Sequence, residues 1–256
     1  MKNKNCLVLI PARYDSSRFP GKPLAKINDK SMIRMVYENC LGNNDSGPID
    51  FEVVVVTDDE RIEQHVKSFG GKVVMVYDEV TTGSERIYLA WQRFFKNKDY
   101  DFIINVQGDE PLLERSELER MVDFHAASGF DIVTMVSEQK GDNERFHDPN
   151  NVKAIYQREN GRCHFFSRAA IPFSRDEKID IWYLHVGIYS YRLEALRKFN
   201  ECGHSYYEML EKLEQLRALE NHLTIGAIQA RCNLVGVDTP EDIATIEGVL
   251  SDKKIN

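Results

Sequence analysis

The first half of the chain alternates between short, almost fully apolar runs and longer segments with one apolar face. The runs at 6–10, 51–57 and 72–76 are typical of strands that are covered on both faces of a sheet. The segments at 29–41 and 58–69 carry apolar residues at helical spacing, and the aspartate at 58 is the predicted cap of the second helix. Strand, helix, strand, helix and strand in this order predict βαβ units and a parallel sheet.

The same alternation of strands and helices continues to about residue 136. A helix follows Ser84, its predicted N-cap, and leads into an apolar strand that begins at residue 102. Another helix at 116–128 leads into a strand at 132–136.

The rhythm changes after residue 150. Strand-like stretches at 151–156, 163–167 and 186–191 follow one another without crossover helices, which predicts an antiparallel insertion. Helices are then expected at 193–200 and 207–220. The predicted buried stripe of the second of these helices is Met209, Leu210, Leu213, Leu216 and Leu219.

The predicted fold class is therefore α/β, with a mostly parallel, Rossmann-like sheet and a smaller antiparallel insertion or flap. A strand at 224–230 and a helix capped by Thr239 and opened by Pro240 return the chain to the parallel part. We predict one α/β domain from 1–150 and 205–256, and an insertion from 151–204.

Composition narrows the classes of partner. The 256 residues carry a formal net charge of -8, which disfavours nucleic acid and anionic membranes, although local cations can still bind a nucleotide. No stretch approaches the roughly 20 apolar residues needed to enter and span a bilayer. Five scattered cysteines without a CxxC pair fit a reducing compartment, so the expected location is cytoplasmic.

Three cations follow the first strand in a loop rich in proline and glycine. Arg13, Arg18 and Lys22 lie in this loop, with two serines between them. Open α/β sheets bind ligands at the carboxyl ends of their strands, and Gly21 lets backbone N–H groups approach, so the loop suits a polyphosphate. A solvated basic loop is the alternative. The prolines, which stiffen the loop, favour the ligand.

A second candidate lies where the strand from 102 ends. Asp109 and Glu110 follow Gly108 and precede Pro111, at the same edge of the sheet as the cationic loop if the strands are neighbours. Mg²⁺ binds one or two carboxylates together with waters and phosphate oxygens. The alternative is a turn in which Asp109 bonds its own backbone, and the nearby cationic loop favours the metal.

Several common sites are absent from the sequence. There is no G-x-G-x-x-G after the first strand, no G-x-x-x-x-G-K-[ST] loop and no G-x-S-x-G elbow. The seven histidines lack metal-ligand spacing. These absences disfavour an NAD-dependent oxidoreductase, a P-loop enzyme and a serine hydrolase.

Taken together, the motifs resemble one family along almost the whole chain. The resemblance is to the CMP-Kdo synthetase (3-deoxy-manno-octulosonate cytidylyltransferase) family. The segments that carry it are Pro11-Ala-Arg-x-x-Ser-Ser-Arg-x-Pro-Gly-Lys-Pro-Leu24, Asn105-Val-Gln-Gly-Asp-Glu-Pro111, His185-Val-Gly-Ile-Tyr189, Leu213-Glu-Gln-Leu-Arg217 and Gly236-Val-Asp-Thr-Pro-Glu-Asp242.

The resemblance implies a nucleotidyltransferase sheet and a Mg²⁺-dependent reaction. CMP would pass from CTP to the anomeric hydroxyl of a 3-deoxy-2-ulosonic acid, with release of pyrophosphate, in a homodimer that serves lipopolysaccharide synthesis. The insertion would then bind the sugar and take part in dimerisation. Metal-assisted deprotonation of that hydroxyl is expected, with no protein nucleophile, and His185 is the alternative base.

The resemblance also assigns roles to single residues. The expected catalytic residues are Arg13, Lys22, Asp109 and Asp238, the last two as Mg²⁺ ligands. The nucleotide would be held by Ala12, Arg13, Ser16, Arg18, Lys22, Ser84, Arg86 and Gln107. The sugar acid would be held by Arg168, Arg175, His185, Tyr189, Glu214 and Gln215.

The chain departs from the family pattern in its sugar-facing half. Leu184 replaces a cation that often precedes the histidine, and Tyr206-Tyr207 replaces a Pro-Leu pair. These departures leave open whether the substrate is Kdo or an amino-substituted analogue such as 8-amino-Kdo. The alternative functions are a CMP-sialic acid synthetase and a non-catalytic nucleotide-sugar binding protein.

Overall fold

The computed structural model describes residues 3–15, 19–42, 47–80, 82–232 and 234–255, with side chains through 251. The predicted nucleotide ligands Ser16 and Arg18 lie outside the described residues. The chain divides into two compact units, the first formed by 1–118 with 232–256 and the second by 119–231.

The elements follow the alternation predicted from the sequence. The strands are β1 (Lys4–Ala12), β2 (Lys26–Ile27), β3 (Lys30–Ser31), β4 (Ile49–Thr57), β5 (Val73–Met75), β6 (Phe102–Asn105), β7 (Ile132–Lys140), β8 (Lys153–Tyr156), β9 (Cys163–Ser167), β10 (Ile181–Tyr191) and β11 (Ile225–Gln229). The α-helices are α1 (Met32–Leu41), α2 (Glu60–Ser68), α3 (Gly83–Ala90), α4 (Arg115–Ala127), α5 (Glu144–His147), α6 (Leu193–Glu201), α7 (Tyr206–Glu211), α8 (Gln215–Glu220) and α9 (Pro240–Ile255). A 3₁₀ turn at Lys22–Leu24 and a π-helical turn at Trp91–Phe95 complete the assignment.

The first unit is built on a parallel sheet with the strand order β6–β1–β4–β5. From β1 the chain moves outward through β4 and β5, and then it crosses back to place β6 on the other side of β1. The carboxyl ends of β1 and β6 therefore form a topological switch point, where open α/β sheets bind ligands.

The core of the first unit explains why these segments fold as they do. The four central residues Val53 to Val56 of β4 and the run Cys6 to Ile10 of β1 are buried, because helices cover the sheet. A satellite cluster of Ile27, Met32, Leu112, Val237 and Ile246 packs α9 against α1 and the segment after β6. This cluster holds the backbone at Val237 beside the end of β6.

The second unit carries the antiparallel strands, in the order β11–β7–β10–β8–β9. β11 pairs with β7 in parallel, and the other pairs are antiparallel, with a register shift in β10 between Val186 and Tyr189. The predicted α/β class, a mostly parallel sheet with a smaller antiparallel part, is confirmed.

The units divide at other residues than the predicted boundaries of 1–150 with 205–256, and 151–204. β7 and β11, which were predicted to belong to the parallel domain, pair with each other and with β10 inside the second unit. The sequence reports the period of each strand but not its pairing partner. The roles predicted for the two parts are not affected by this difference.

Two predicted helix caps are wrong by one or two residues. Asp59, not Asp58, caps α2, with its carboxylate accepting from the Arg61 backbone N–H at 2.9 Å. Thr82, not Ser84, caps α3 in a capping box with Glu85. In both cases the predicted residue is engaged by tertiary structure, which sequence spacing does not reveal.

The predicted helix at 207–220 is broken. Lys212 adopts a left-handed conformation, with φ of 53°, and separates α7 from α8. Leu213 and Leu216 are buried as predicted, whereas Met209 and Leu210 are 50% and 62% exposed, because α7 does not continue the line of α8. Within the residues described, no helix combines the length and apolar character needed to cross a membrane.

Gly161 allows a test of the packing in the second unit. Its φ is +78°, and a Cβ there would lie 2.6 Å from Phe124 Cζ and 2.9 Å from the carbonyl oxygen of Ala227. Gly141 has a similar φ of +75° but nothing within 4 Å. We expect Gly141→Ala to lower the free energy of unfolding by about 1 kcal/mol, and Gly161→Ala to lower it by about 1–3 kcal/mol more. Urea denaturation of the two variants measures the difference, and equal losses would show that the site is not tightly packed.

Candidate active site

An ion pair joins the two loops at the switch point. Lys22 lies in the 3₁₀ turn after β1, and its Nζ donates to Asp109 Oδ2 at 2.5 Å and to the carbonyl oxygen of Val237 at 2.8 Å. The two side chains keep only 15% and 31% of their exposure, so the pair is partly shielded from water. The predicted neighbours Lys22 and Asp109 are thus brought together.

The position of Lys22 depends on the packing of its loop. Gly21 has φ of +70°, its N–H donates to the carbonyl oxygen of Tyr14 at 2.8 Å, and a Cβ there would lie 3.2 Å from the Tyr14 ring. The guanidinium of Arg61 lies 3.2 Å from the centroid of the same ring. The loop is therefore held by a stack of Arg61, Tyr14 and Gly21 as well as by its prolines.

Two further carboxyl groups, Glu110 and Asp238, lie close to this pair. The backbone N–H of Val237 donates to the carbonyl oxygen of Asp109 at 3.0 Å, which places Asp238 one residue from the pair. Burial, followed by the charges of Asp109 and Asp238, raises the pKa of Glu110 to about 8. Glu110 Oε2 is buried and has no hydrogen-bond partner among the residues that the structure describes.

These groups do not form a complete metal cage. Within the described ranges, no group of three or more His, Cys, Asp or Glu side chains is arranged to hold a metal ion. Asp109 and Asp238 supply two carboxylates, which is the number that Mg²⁺ uses when phosphates and waters provide its other ligands. The donor set therefore fits a metal that arrives with a phosphate ligand, and the orphaned oxygen of Glu110 is a further acceptor nearby.

A cavity of about 330 Å³ lies beside the first loop. Arg13 and Arg86 line it, and acidic side chains on the ends of the neighbouring strands line it as well. Arg86 is 2% exposed and is fixed by Asp58 Oδ2 at 2.7 Å and by the carbonyl oxygen of Val76 at 2.8 Å. Its Nε has no hydrogen-bond partner in the described part of the chain. A fixed guanidinium at a cavity wall can recognise carbonyl oxygens of a planar ligand.

The turn before α3 meets the ends of β1 and β6. Arg13 Nη2 makes a long contact of 3.5 Å with the carbonyl oxygen of Thr82, and burial followed by the charge of Arg86 lowers the pKa of Arg13. A Cβ at Gly83 would lie 3.5 Å from the amide nitrogen of Gln107. The predicted nucleotide residues Arg13, Arg86 and Gln107 therefore surround one turn.

Two other predicted nucleotide residues are buried. Ala12 is the last residue of β1 and is 3% exposed, so it can offer a ligand only its backbone. Ser84 is fully buried, and its hydroxyl accepts a hydrogen bond of 3.4 Å from the amide of Asn105. The Ser84 side chain is directed into the first unit and does not line the cavity.

In the second unit, three of the predicted sugar ligands form one cluster. The hydroxyl of Tyr189 donates to Gln215 Oε1 at 3.2 Å, and the rings of His185 and Tyr189 lie 5.5 Å apart. Burial and then the charge of Glu214 raise the pKa of Tyr189 well above its usual value, so its phenol stays protonated. The Gln215 amide nitrogen is buried without a hydrogen-bond partner among the described residues.

His185 is held as a neutral ring. Its Nε2 lies 3.1 Å from the hydroxyl of Thr134, whose single hydrogen is directed to the carbonyl oxygens of Val186 and Ile188. The hydroxyl oxygen therefore accepts from Nε2, which carries the proton. Burial lowers the pKa of His185 to about 3. Such a ring is a weak proton acceptor at neutral pH, which disfavours the alternative in which His185 is the general base.

The two predicted arginine ligands are placed differently. Three nitrogens of the Arg168 guanidinium donate to the carbonyl oxygens of Pro149, Glu211 and Lys212. Arg175, in contrast, lies in the segment between β9 and β10, and its side chain is exposed. Glu214 immediately precedes α8.

Sequence reasoning missed several residues that shape these sites. Asp58 was predicted as a helix cap and instead fixes Arg86, and Tyr14 was not singled out as the brace of the Lys22 loop. Glu211 lies within the helix predicted at 207–220 and was not singled out, yet it accepts from the hydroxyl of Ser167 and the backbone N–H of Arg168. Only the position of Glu110, beside Asp109, carried a signal in the sequence.

A family model described as cytidylyltransferase matches residues 7–225. The chain belongs to the cytidylyltransferase family. Two curated relatives match almost their full length. The chain is 38% identical to the 3-deoxy-manno-octulosonate cytidylyltransferase of Parabacteroides distasonis, over 96% of this chain and 98% of the relative. It is 43% identical to the 8-amino-3,8-dideoxy-manno-octulosonate cytidylyltransferase of Shewanella pealeana, over 96% of this chain and 99% of the relative.

The solved structures agree with this membership. A CMP:2-keto-3-deoxy-manno-octonic acid synthetase complexed with CTP superposes on this cytidylyltransferase with a TM-score of 0.86 and 31% identity, covering 98% of this chain and 100% of that one. A cytidylyltransferase from Leptospira borgpetersenii, at 20% identity and a TM-score of 0.62, shows the shared fold alone. The family resemblance found in the motifs is confirmed.

The state of His185 can be measured directly. Because the folded pKa of about 3 lies below the usual 6.5, the unfolded chain binds more protons between these values, so this group removes stability as the pH falls from about 6.5. We expect the His185 ring to remain neutral at pH 5, with the proton on Nε2. Nuclear magnetic resonance of histidine-labelled enzyme measures both the charge of the ring and the nitrogen that carries the proton. The His185→Gln variant assigns the signal. A titration midpoint near 6.5 would contradict the buried, neutral ring.

Proposed function

We propose that this cytidylyltransferase transfers CMP from CTP to the anomeric hydroxyl of a 3-deoxy-2-ulosonic acid of the Kdo type and releases pyrophosphate. The observation that carries the proposal is the contact between Lys22 and Asp109 at the switch point, since it joins the cation predicted to bind phosphate to the carboxylate predicted to bind metal. The CTP bound to the superposed synthetase, and the names of the two curated relatives, support the choice of substrates.

The first unit would bind CTP. Lys22 and Arg13 supply positive charge for the triphosphate, and the cavity lined by Arg13 and Arg86 gives the nucleoside a place next to them. Ser16 and Arg18 are predicted to add donors from the same loop. Gln107 and the turn at Thr82 would then contact the nucleoside from the end of β6.

A Mg²⁺ ion held by Asp109 and Asp238 belongs to this proposal. When bound, such an ion stabilises negative charge on the phosphates and increases the acidity of the attacking hydroxyl. In the structure, the ammonium group of Lys22 forms a salt bridge with the carboxylate of Asp109. We expect the triphosphate to draw Lys22 away, because an ammonium group gains more from several phosphate oxygens than from one carboxylate. Asp109 then becomes available as a metal ligand.

The second unit would bind the sugar acid. Tyr189 and Gln215 offer a hydroxyl and an amide for the sugar hydroxyls, while Arg168 and Arg175 are the cations for its carboxylate. His185, neutral and fixed by Thr134, would shape the site through its ring rather than accept a proton. The chain needs no nucleophile of its own, since the sugar hydroxyl attacks the α-phosphorus directly.

The remaining predictions follow from the family resemblance. On that basis, the proposal includes a homodimer, a cytoplasmic location and a role in lipopolysaccharide synthesis. The sugar can be Kdo or 8-amino-Kdo, because relatives of both names match over 96% of this chain. The sialic acid and non-catalytic alternatives have less support, since those relatives are named for octulosonates and both predicted metal carboxylates are present.

The proposal predicts a specific pattern of pyrophosphate release. With CTP and Mg²⁺, purified enzyme should release pyrophosphate with Kdo or 8-amino-Kdo and not with N-acetylneuraminate, and chelation of the metal should stop the reaction. Asp109→Asn should lower kcat by at least about 100-fold, because one ligand to the charge-stabilising ion is lost. Asp50→Asn, an exposed change on β4 in the same unit, serves as the matched control.

A coupled pyrophosphate assay measures all of these rates. Release with N-acetylneuraminate alone would favour the sialic acid alternative. CTP binding without release for any sugar acid in the panel would favour the binding protein. Unchanged activity in Asp109→Asn would remove the metal assignment while leaving the transferase reaction in place.

A further inference from the structure

A buried polar network in the second unit holds the corner between α7 and α8. Lys153 on β8 is fully buried, and its Nζ donates to the carbonyl oxygens of Asp148, Asn151 and Arg168 at 3.0, 2.6 and 2.6 Å. An ammonium group has three donors, so each has an acceptor here. The network therefore fixes the end of β9, where Arg168 lies, against the turn at 148–151.

Arg168 extends the network to the corner itself. Its Nε donates to the carbonyl oxygen of Glu211 at 2.7 Å, and its Nη2 contacts that of Lys212 at 3.4 Å. These carbonyls belong to the end of α7, where helical hydrogen bonding stops. Lys212 adopts φ of 53° and ψ of 46°, an unfavourable conformation for a lysine. The guanidinium thus stabilises the carbonyls around a strained residue.

The side chain of Glu211 also contacts the end of β9, and these contacts together form a clamp between the end of α7 and the end of β9. Its Oε1 accepts from the hydroxyl of Ser167 at 2.6 Å, and its Oε2 accepts from the backbone N–H of Arg168 at 2.7 Å. Side chain and carbonyl of Glu211 therefore both contact the end of β9. Two peptide segments that are far apart in sequence are thus joined by four polar contacts.

The corner determines where the next residues lie. Leu213 is buried just after Lys212, and Glu214 and Gln215 follow at the start of α8. Gln215 accepts from Tyr189, and Glu214 influences the pKa of Tyr189, so the residues after the corner meet the sugar cluster. A shift of the corner would move Glu214 and Gln215 relative to Tyr189.

We propose that Glu211 and Lys153 are positioning residues of the sugar-acid site, which place Arg168, Glu214 and Gln215 for substrate without touching it. The inference rests on the proposed function. It explains why a lysine is buried in β8 and why a glutamate at the end of α7 is directed inward, neither of which the transfer reaction requires.

The test is a comparison of Michaelis constants for the two substrates. Glu211→Ala and Lys153→Met should each raise KM for the sugar acid about 10-fold or more, with KM for CTP changed less than about 2-fold, since only one substrate loses its aligned ligands. Glu211→Gln keeps one acceptor oxygen and should give an intermediate KM for the sugar acid.

Ser167→Ala removes a single donor and provides a milder variant if Lys153→Met does not fold. Glu194→Gln, on the exposed face of α6, is the control.

The outcomes separate the possible roles. A clamp that merely stabilises the fold would reduce the active fraction, which lowers apparent kcat and leaves both values of KM unchanged. That result, or equal increases in KM for both substrates, would overturn the inference while the proposed function stands. Absence of turnover by the unmodified enzyme with every sugar acid would overturn the proposed function and this inference with it.

Discussion

The salt bridge between Lys22 and Asp109 is the interaction on which the account depends. It exists because β1 and β6 are adjacent parallel strands, so that the loops after them lie at the same carboxyl edge of the sheet. The ion pair has a further anchor in the carbonyl oxygen of Val237, which the apolar cluster around Val237 and Ile246 holds in place. Charge at the site is therefore organised by packing elsewhere in the first unit.

The two units use polar groups in different ways. In the first unit, charged groups are gathered at one edge of a parallel sheet, and burial raises the pKa of Glu110 beside them. In the second unit, buried charges mostly join backbone segments, as Lys153 does, or join helices, as the pair of Arg217 and Glu208 does at 2.5 Å. Breaking such a pair leaves an uncompensated charge, so these residues tolerate substitution poorly.

Much of the fold was predictable because its periodicities are strong. Buried strands such as β1 and β4 read as continuous apolar runs, and the loops after β1 and β6 had to meet once those strands were neighbours. Choices between adjacent polar residues were not predictable. Asp59 rather than Asp58 caps α2, since Arg86, distant in sequence, binds Asp58.

The break between α7 and α8 was invisible for a similar reason. A continuous helical pattern runs through Lys212, whereas contacts from Ser167 and Arg168, distant in sequence, stabilise the left-handed turn there. The sequence likewise shows that His185 is isolated, but not that Thr134 and burial keep its ring neutral. Local spacing predicts elements, whereas partners far apart in sequence decide protonation and turns.

The central claim is that Lys22 and Asp109 serve one complex of nucleotide and metal, and metal binding in the absence of sugar acid tests it most directly. Titration of Mn²⁺ followed by electron paramagnetic resonance should show binding at least about 10-fold tighter with CTP than without it. Lys22→Met should strengthen binding of the metal alone, because the ammonium group that competes for the Asp109 carboxylate is removed. Lys26→Met, at an exposed position, should not change the metal affinity. Metal affinity that is the same with and without CTP, and in both variants, would contradict the account.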